Sequence, residues 1–298
     1  MLQSIDPYRP TAAVSGKVEV FGSTMMDALA HGWSQGFAHF HSKAKVEISG
    51  TGDAEAMNRL VATPSAIAMF ARPVKLEELE ALKRQGLKQP VAIVVAREAL
   101  SVFVHASNPV TSISGEELRA VFTSQGKQDE LTWAMLGAPA PWASKPIRVV
   151  SRSENSGTQK FLSDFVFDGA ELRPGISAHA SNAEVLQAME ADPLTIAICG
   201  YRSSNKAIKP LQLTTGASVV PSDDHAILSG QYPLTRPLTL VIDVGQSSEN
   251  AKASQEFVRS ALCQAGQTQA ILVGFFPVDL PLLRAGQEQL GASAATRR

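Results

Sequence analysis

Short runs rich in Val, Ile and Phe alternate along most of the chain with segments whose apolar residues recur at three- and four-residue steps. A buried strand is a short apolar or alternating run, whereas a surface helix carries a stripe of period 3.6. The runs at 18–21, 46–49, 65–70, 90–96, 100–105, 147–151, 194–199 and 238–244 are expected strands. Met26, Leu29, Trp33, Phe37 and Phe40 mark one face of a helix from about residue 24. Further helices are expected over 53–61, 75–85 and most of 251–273. Ser114 with Glu117, and Ser181 with Glu184, form S-x-x-E capping boxes that open two more. Strands and helices taken in turn predict an α/β protein with largely parallel sheets.

The chain has 298 residues, enough for two domains at about 100–200 residues each. A 44% hydrophobic and 18% charged composition supports a buried core and excludes a disordered chain. Net charge is −1, so nothing draws the whole molecule to nucleic acid or an anionic membrane, and any anion site must be local. No apolar run approaches the roughly 20 residues that span a bilayer. Residues 1–16 lack the basic start and apolar stretch of a secretory leader. Either a leader has been removed ahead of Met1, or the chain is cytosolic. These residues read as a loose arm, and the Gln-, Ala- and Gly-rich segment from about 286 reads as a frayed tail. Cys199 and Cys263 lie in apolar surroundings and read as two buried free thiols.

The segment with most chemistry is SRSENSGT at 151–158, between an expected strand and an expected helix. The first N–H groups of a helix have no internal partner and sit at the positive end of its dipole. Ser156 and Thr158 add hydroxyl donors, and Gly157 lets an anion approach the backbone. Arg152 supplies a planar guanidinium suited to oxyanions, which Glu154 could hold in place. On its own, the same segment also fits a helix cap beside a surface ion pair.

This stretch resembles the R-x-D/E-x-SGT motif of the phosphate-binding receptors of bacterial ABC importers. Other segments agree in order: GSTMM at 22–26, SGTGDAEAM at 49–57, IAMFARPV at 67–74 and SNPVTSISGEELRAVF at 107–122. TWAMLG, YPLTRPLTLVID at 232–243 and GFFPV near the end follow. The resemblance implies a type II periplasmic-binding-protein fold, with two α/β lobes joined by two crossover strands and closing on a hinge around the ligand. Lobe one would take 17–98 plus 234–285, and lobe two 99–233. It implies a monomeric, extracytoplasmic transport receptor for phosphate or a related small oxyanion. Its partner would be the membrane permease of the importer. It implies no cofactor, no bound metal, no nucleic acid and no catalysis.

Carried over residue by residue, the lobe-two half of the site is present as Arg152, Glu154, Ser156, Gly157 and Thr158. The lobe-one half departs. Met25 stands where relatives have a threonine, unless a one-residue shift brings Thr24 or Ser23 there. Asp53 replaces a serine, and Ala71 replaces an aspartate or serine. A thioether donates no hydrogen bond and alanine offers no polar atom. An ionised Asp53 would face the anion at a cost of about 1 kcal/mol in water and about 4 at an effective dielectric of 20. Weakened phosphate binding is therefore expected, or a receptor on the same fold that takes another ligand. Asp53 could instead accept the proton of hydrogen phosphate. Arg72 reads as structural. His31, His39 and His41 read as a solvated polar face, and Asp223-Asp224-His225 as an exposed loop.

Overall fold

The computed structural model describes residues 2–125, 131–153, 156–203 and 205–295, and of residues 53, 54, 157 and 292–295 the backbone alone. In chain order the strands are β1 Gly16–Gly22, β2 Ala44–Gly50, β3 Ile67–Phe70, β4 Pro90–His105, β5 Ser112–Ser114 and β6 Arg148–Arg152. They continue with β7 Ser177–His179, β8 Thr195–Gly200, β9 Ile208–Pro210, β10 Gln212–Thr215, β11 Ser218–Val220 and β12 Thr235–Asp243. The helices are α1 Asp27–Phe40, α2 Asp53–Ala62, α3 Leu76–Arg84, α4 Gly115–Phe122 and α5 Gly157–Phe161. They are followed by α6 Asn182–Ala191, α7 Asp224–Leu228, α8 Glu249–Ala261, α9 Gln264–Leu272 and α10 Leu280–Ala295. The chain forms two compact units, residues 1–98 with 236–298 and residues 99–235.

The first unit is built on a sheet in the order β2-β1-β3-β12-β4. β1 is parallel to β2 and β3, and β12 runs antiparallel to β3. Successive strand residues point to opposite faces, and both faces here are apolar. Val18 and Val20 of β1, Ile67 and Met69 of β3, and Leu238, Leu240 and Ile242 of β12 pack with Leu29, Trp33 and Phe37 of α1 and Phe257 of α8. Phe21, Ala68, Phe70 and Val241 face the other way, onto Ala56 and Leu60 of α2 and Leu82 of α3. Each large side chain so buried contributes about 1.5–3 kcal/mol. A one-residue slip would exchange the faces of a whole strand, so the sequence pattern pins the register.

The second unit has the sheet order β4-β8-β6-β7, with β9 on the other side of β4. β6 is parallel to β7 and β8, whereas β4 is antiparallel to β8 and β9. Phe103, Val150, Ala197 and Cys199 form its core with Val185 and Met189 of α6. A small sheet, β11-β10-β5, completes it. The Ser114–Glu117 capping box forms as read; at Ser181 the serine cap forms, but the Glu184 carboxylate accepts from Ala180 N rather than from Ser181 N. Ser114 Oγ accepts from Glu117 N at 3.1 Å, and Ser181 Oγ accepts from Glu184 N at 3.2 Å. Cys199 and Cys263 are buried and not joined in a disulfide.

Five local expectations are corrected. The runs at 90–96 and 100–105 are one strand, because the charges that break the pattern are satisfied: Arg97 pairs with Asp279 at 2.9 Å and Glu98 with Arg236 at 2.5 Å. The arm is not loose. Ile5 packs with Val278 and Leu283, and the Tyr8 hydroxyl donates to Glu256 at 2.8 Å. His41 leaves the expected polar face, being buried 2.7 Å from the Tyr8 hydroxyl. The tail continues as α10 to Ala295, where Gly286 allows close approach; a Cβ there would lie 2.8 Å from Ile93. Isolated apolar anchors and small contact residues leave no periodic trace, which is why pattern alone misses them. Asp223 also belongs to an element, accepting from Ala226 N at 2.8 Å to cap α7.

Candidate functional site

In parallel sheets ligands bind outside the carboxyl ends of the strands. In the second unit those ends are Arg152 of β6, His179 of β7, which pair in register, and Gly200 of β8. Ser151 points into the core and donates to Gln159 Oε1 at 2.7 Å, tying the strand to the helix that follows. Arg152 points the other way. Its Nη1 donates to Asn182 Oδ1 and its Nη2 to Ala180 O, each at 2.8 Å. Its Nε is buried with no hydrogen-bond partner among the described residues. Glu154, expected to hold this arginine, lies outside the described residues; the two acceptors that do hold it are both neutral.

The chain turns from β6 into α5 through Ser153 and Ser156, whose N–H donates to Ser153 O at 2.9 Å. Ser156 is the N-cap, with φ −75° and ψ 142°, and its Oγ accepts from Gln159 N at 3.1 Å. That bond uses a lone pair and leaves the hydroxyl proton for another acceptor. Gly157 and Thr158 open the helix, with Thr158 buried. The structure therefore gathers Arg152, Ser156, Gly157 and Thr158 at one strand-to-helix corner. This corner offers a bound anion donors and positive charge.

In the first unit the corresponding ends are Gly22 of β1, Gly50 of β2 and Phe70 of β3. Gly22 joins the three loops. Its carbonyl accepts from Thr51 N and Gly52 N, both at 2.9 Å, and the next N–H, of Ser23, donates to Met69 O at 2.9 Å. With φ +129° and a would-be Cβ 2.3 Å from Met69 O, this position admits only glycine. Thr24 is exposed and Met25 half-buried. The Met25 sulfur accepts from Arg236 Nη2 at 2.8 Å, and the wholly buried Arg236 also donates through Nε to Glu98 Oε2 at 2.5 Å.

Ala71 is 5% exposed and packs in the core beside Met69, so its side chain presents nothing to a ligand. Asp53 opens α2 directly after Gly52, its side chain lying outside the described residues. Arg72 is structural, as read, paired to both Glu78 oxygens at 2.9 Å and lying 5.0 Å from the Phe70 ring centre.

Two polar groups at these loops escaped the sequence reading. Asp27, the first residue of α1, has Oδ1 buried with no hydrogen-bond partner among the described residues, and Thr51 Oγ1 is in the same state. Burial pushes the Asp27 carboxyl above its ordinary range, and His31 on the next turn opposes that shift. Thr24 and Asp27 both pack over Gly50, where a Cβ would lie 2.4 Å from Thr24 Cγ2 and 3.0 Å from Asp27 Oδ2. A TGD step after a strand was the available signal for Thr51; nothing local marks Asp27.

The family described as "PBP superfamily domain" matches this chain over residues 8–261. A phosphate-binding protein PstS of Pseudomonas aeruginosa is 25% identical, over 97% of this chain and 92% of its own. Protein SphX of Synechococcus elongatus is 27% identical, over 96% and 85%. Among solved structures, a possible phosphate binding protein of Planctomyces limnophilus superposes with a TM-score of 0.74 at 19% identity, covering 95% of this chain and all of that one. An ABC-type phosphate transport receptor of Vibrio cholerae gives 0.73 at 18%, covering 87% and 99%.

Proposed function

The chain belongs to the PBP superfamily, and from that premise we propose that it is the phosphate receptor of an ABC importer. The observation that carries this is the corner after β6, where a guanidinium held by two neutral acceptors stands beside the amino end of a helix capped by Ser156. An arginine so held keeps its full charge for an oxyanion, and the Ser156 hydroxyl and helix N–H groups add directed donors. The proposed ligand set is Arg152, Ser156, Gly157 and Thr158 of the second unit. The names of the relatives support phosphate as the oxyanion. The role is binding and delivery to a membrane permease outside the cytoplasm, by a monomer that does no chemistry on its ligand. Among the described residues no helix is long and apolar enough to cross a membrane.

A thermal-shift series with phosphate, sulfate, amino acids and sugars tests this. Ligand at a hundred times Kd adds about 2.7 kcal/mol to the folded state, which raises Tm by several degrees. Phosphate is expected to do so. A shift with a sugar or amino acid and none with phosphate would overturn the proposal.

A further inference from the structure

The direction of Arg152 is set by a turn 28 to 30 positions further along the chain, between β7 and α6. Asn182 Oδ1 and Ala180 O each accept from its guanidinium at 2.8 Å. A guanidinium only donates, so the amide atom facing it is the oxygen. The turn is fixed from both sides. His179 stands opposite Arg152 in the β6–β7 pairing, and Ser153 N donates to His179 O at 2.8 Å. Ser181 caps α6 by accepting from Glu184 N at 3.2 Å, and Asn182 is the first residue of that helix. A carboxylate is the stronger acceptor for such a fork, as Glu78 is for Arg72 in the first unit. This turn carries one, Glu184, but it accepts from Ala180 N and Ser181 Oγ. The guanidinium is left to a neutral amide and a backbone carbonyl.

We propose that Asn182 is a positioning residue of the anion site: its amide oxygen fixes the plane of Arg152 without neutralising it, and so sets how tightly the second unit binds an oxyanion. The proposal rests on the phosphate reading above. An arginine has many rotamers, and ordering it only when the ligand arrives weakens binding. Asn182 orders it beforehand. An aspartate at this position would order it equally well, but its charge would compete with the oxyanion for the same cation. Two of the five guanidinium N–H groups serve the turn, which leaves the others, the buried Nε among them, without a partner among the described residues. Position 182 is therefore the place where one atom, oxygen for nitrogen, changes the charge of the site and leaves its shape alone.

The test is calorimetric titration with inorganic phosphate of wild type, Asn182→Ala, Asn182→Asp, Arg152→Ala and the Arg152→Ala/Asn182→Ala double variant, beside thermal melts of each. Asn182→Ala removes the acceptor and should bind phosphate about tenfold more weakly. Asn182→Asp keeps the acceptor and adds the charge, and should lose about tenfold to hundredfold. Melting points should stay near that of wild type, because Ser181 still caps α6. Aspartate has the shape of asparagine, so this arm of the test survives even if the truncation loosens the helix. Once Arg152 is alanine there is nothing left to position, and adding Asn182→Ala should change affinity by less than about twofold. The same loss with and without Arg152 would overturn the role of Asn182, since it would then act on the fold rather than through the guanidinium. Wild-type affinity in either folded single variant at 182 would overturn it as well, and leave the receptor reading intact. A wild type that binds no phosphate would overturn both.

Discussion

Each unit buries most of an arginine near its ligand loops, and the two are held in opposite ways. Arg236 lies against Glu98, so its charge is neutralised inside the protein, and its Nη2 also contacts the Met25 sulfur. Arg152 is fixed by a carbonyl and an amide oxygen, which orient the guanidinium without cancelling its charge. The comparison separates a cation neutralised within the fold from one whose partners among the described residues, Asn182 and Ala180, carry no charge. It also explains Met25, which is a partner of Arg236 and not a failed hydroxyl. Thr24, beside it, is exposed.

The largest expected effect breaks the first arginine. Glu98→Gln removes one partner of a buried ion pair and should cost about 3–5 kcal/mol, read as a lowered midpoint in urea. An unchanged midpoint would mean that Arg236 is neutralised elsewhere and that the contrast is false. The next effect separates the roles. Arg152→Ala should weaken phosphate binding about hundredfold or more while moving stability by less than about 1 kcal/mol. Arg152→Lys keeps the charge but loses the planar fork and should recover part of the affinity in calorimetry. A large stability loss with unaltered binding would make Arg152 a second structural cation.

The smallest effect concerns Asp53, which opens α2 beside Thr51 and Gly52. If its charge only opposes the ligand, Asp53→Ser should bind phosphate about fivefold more tightly, in line with about 1 kcal/mol for two charges 4 Å apart in water. A clear loss of phosphate binding in that variant would instead make Asp53 an acceptor for the ligand's proton.

The parts legible in the sequence are those encoded by neighbours in the chain. Strand–helix alternation, the two serine caps and the passage of SRSENSGT from strand to helix need only local periodicity and capping chemistry. Arg152, Ser156, Gly157 and Thr158 were legible for that reason: one turn of chain brings them together. Tertiary structure alone decided the rest. Glu98 and Arg236 stand 138 positions apart, and Tyr8 meets Glu256 across 248. No window of sequence contains either pair. The same holds for Asp27 Oδ1 and Thr51 Oγ1, which have no hydrogen-bond partner among the described residues, because burial is a property of the packed sheet and helices rather than of the residue.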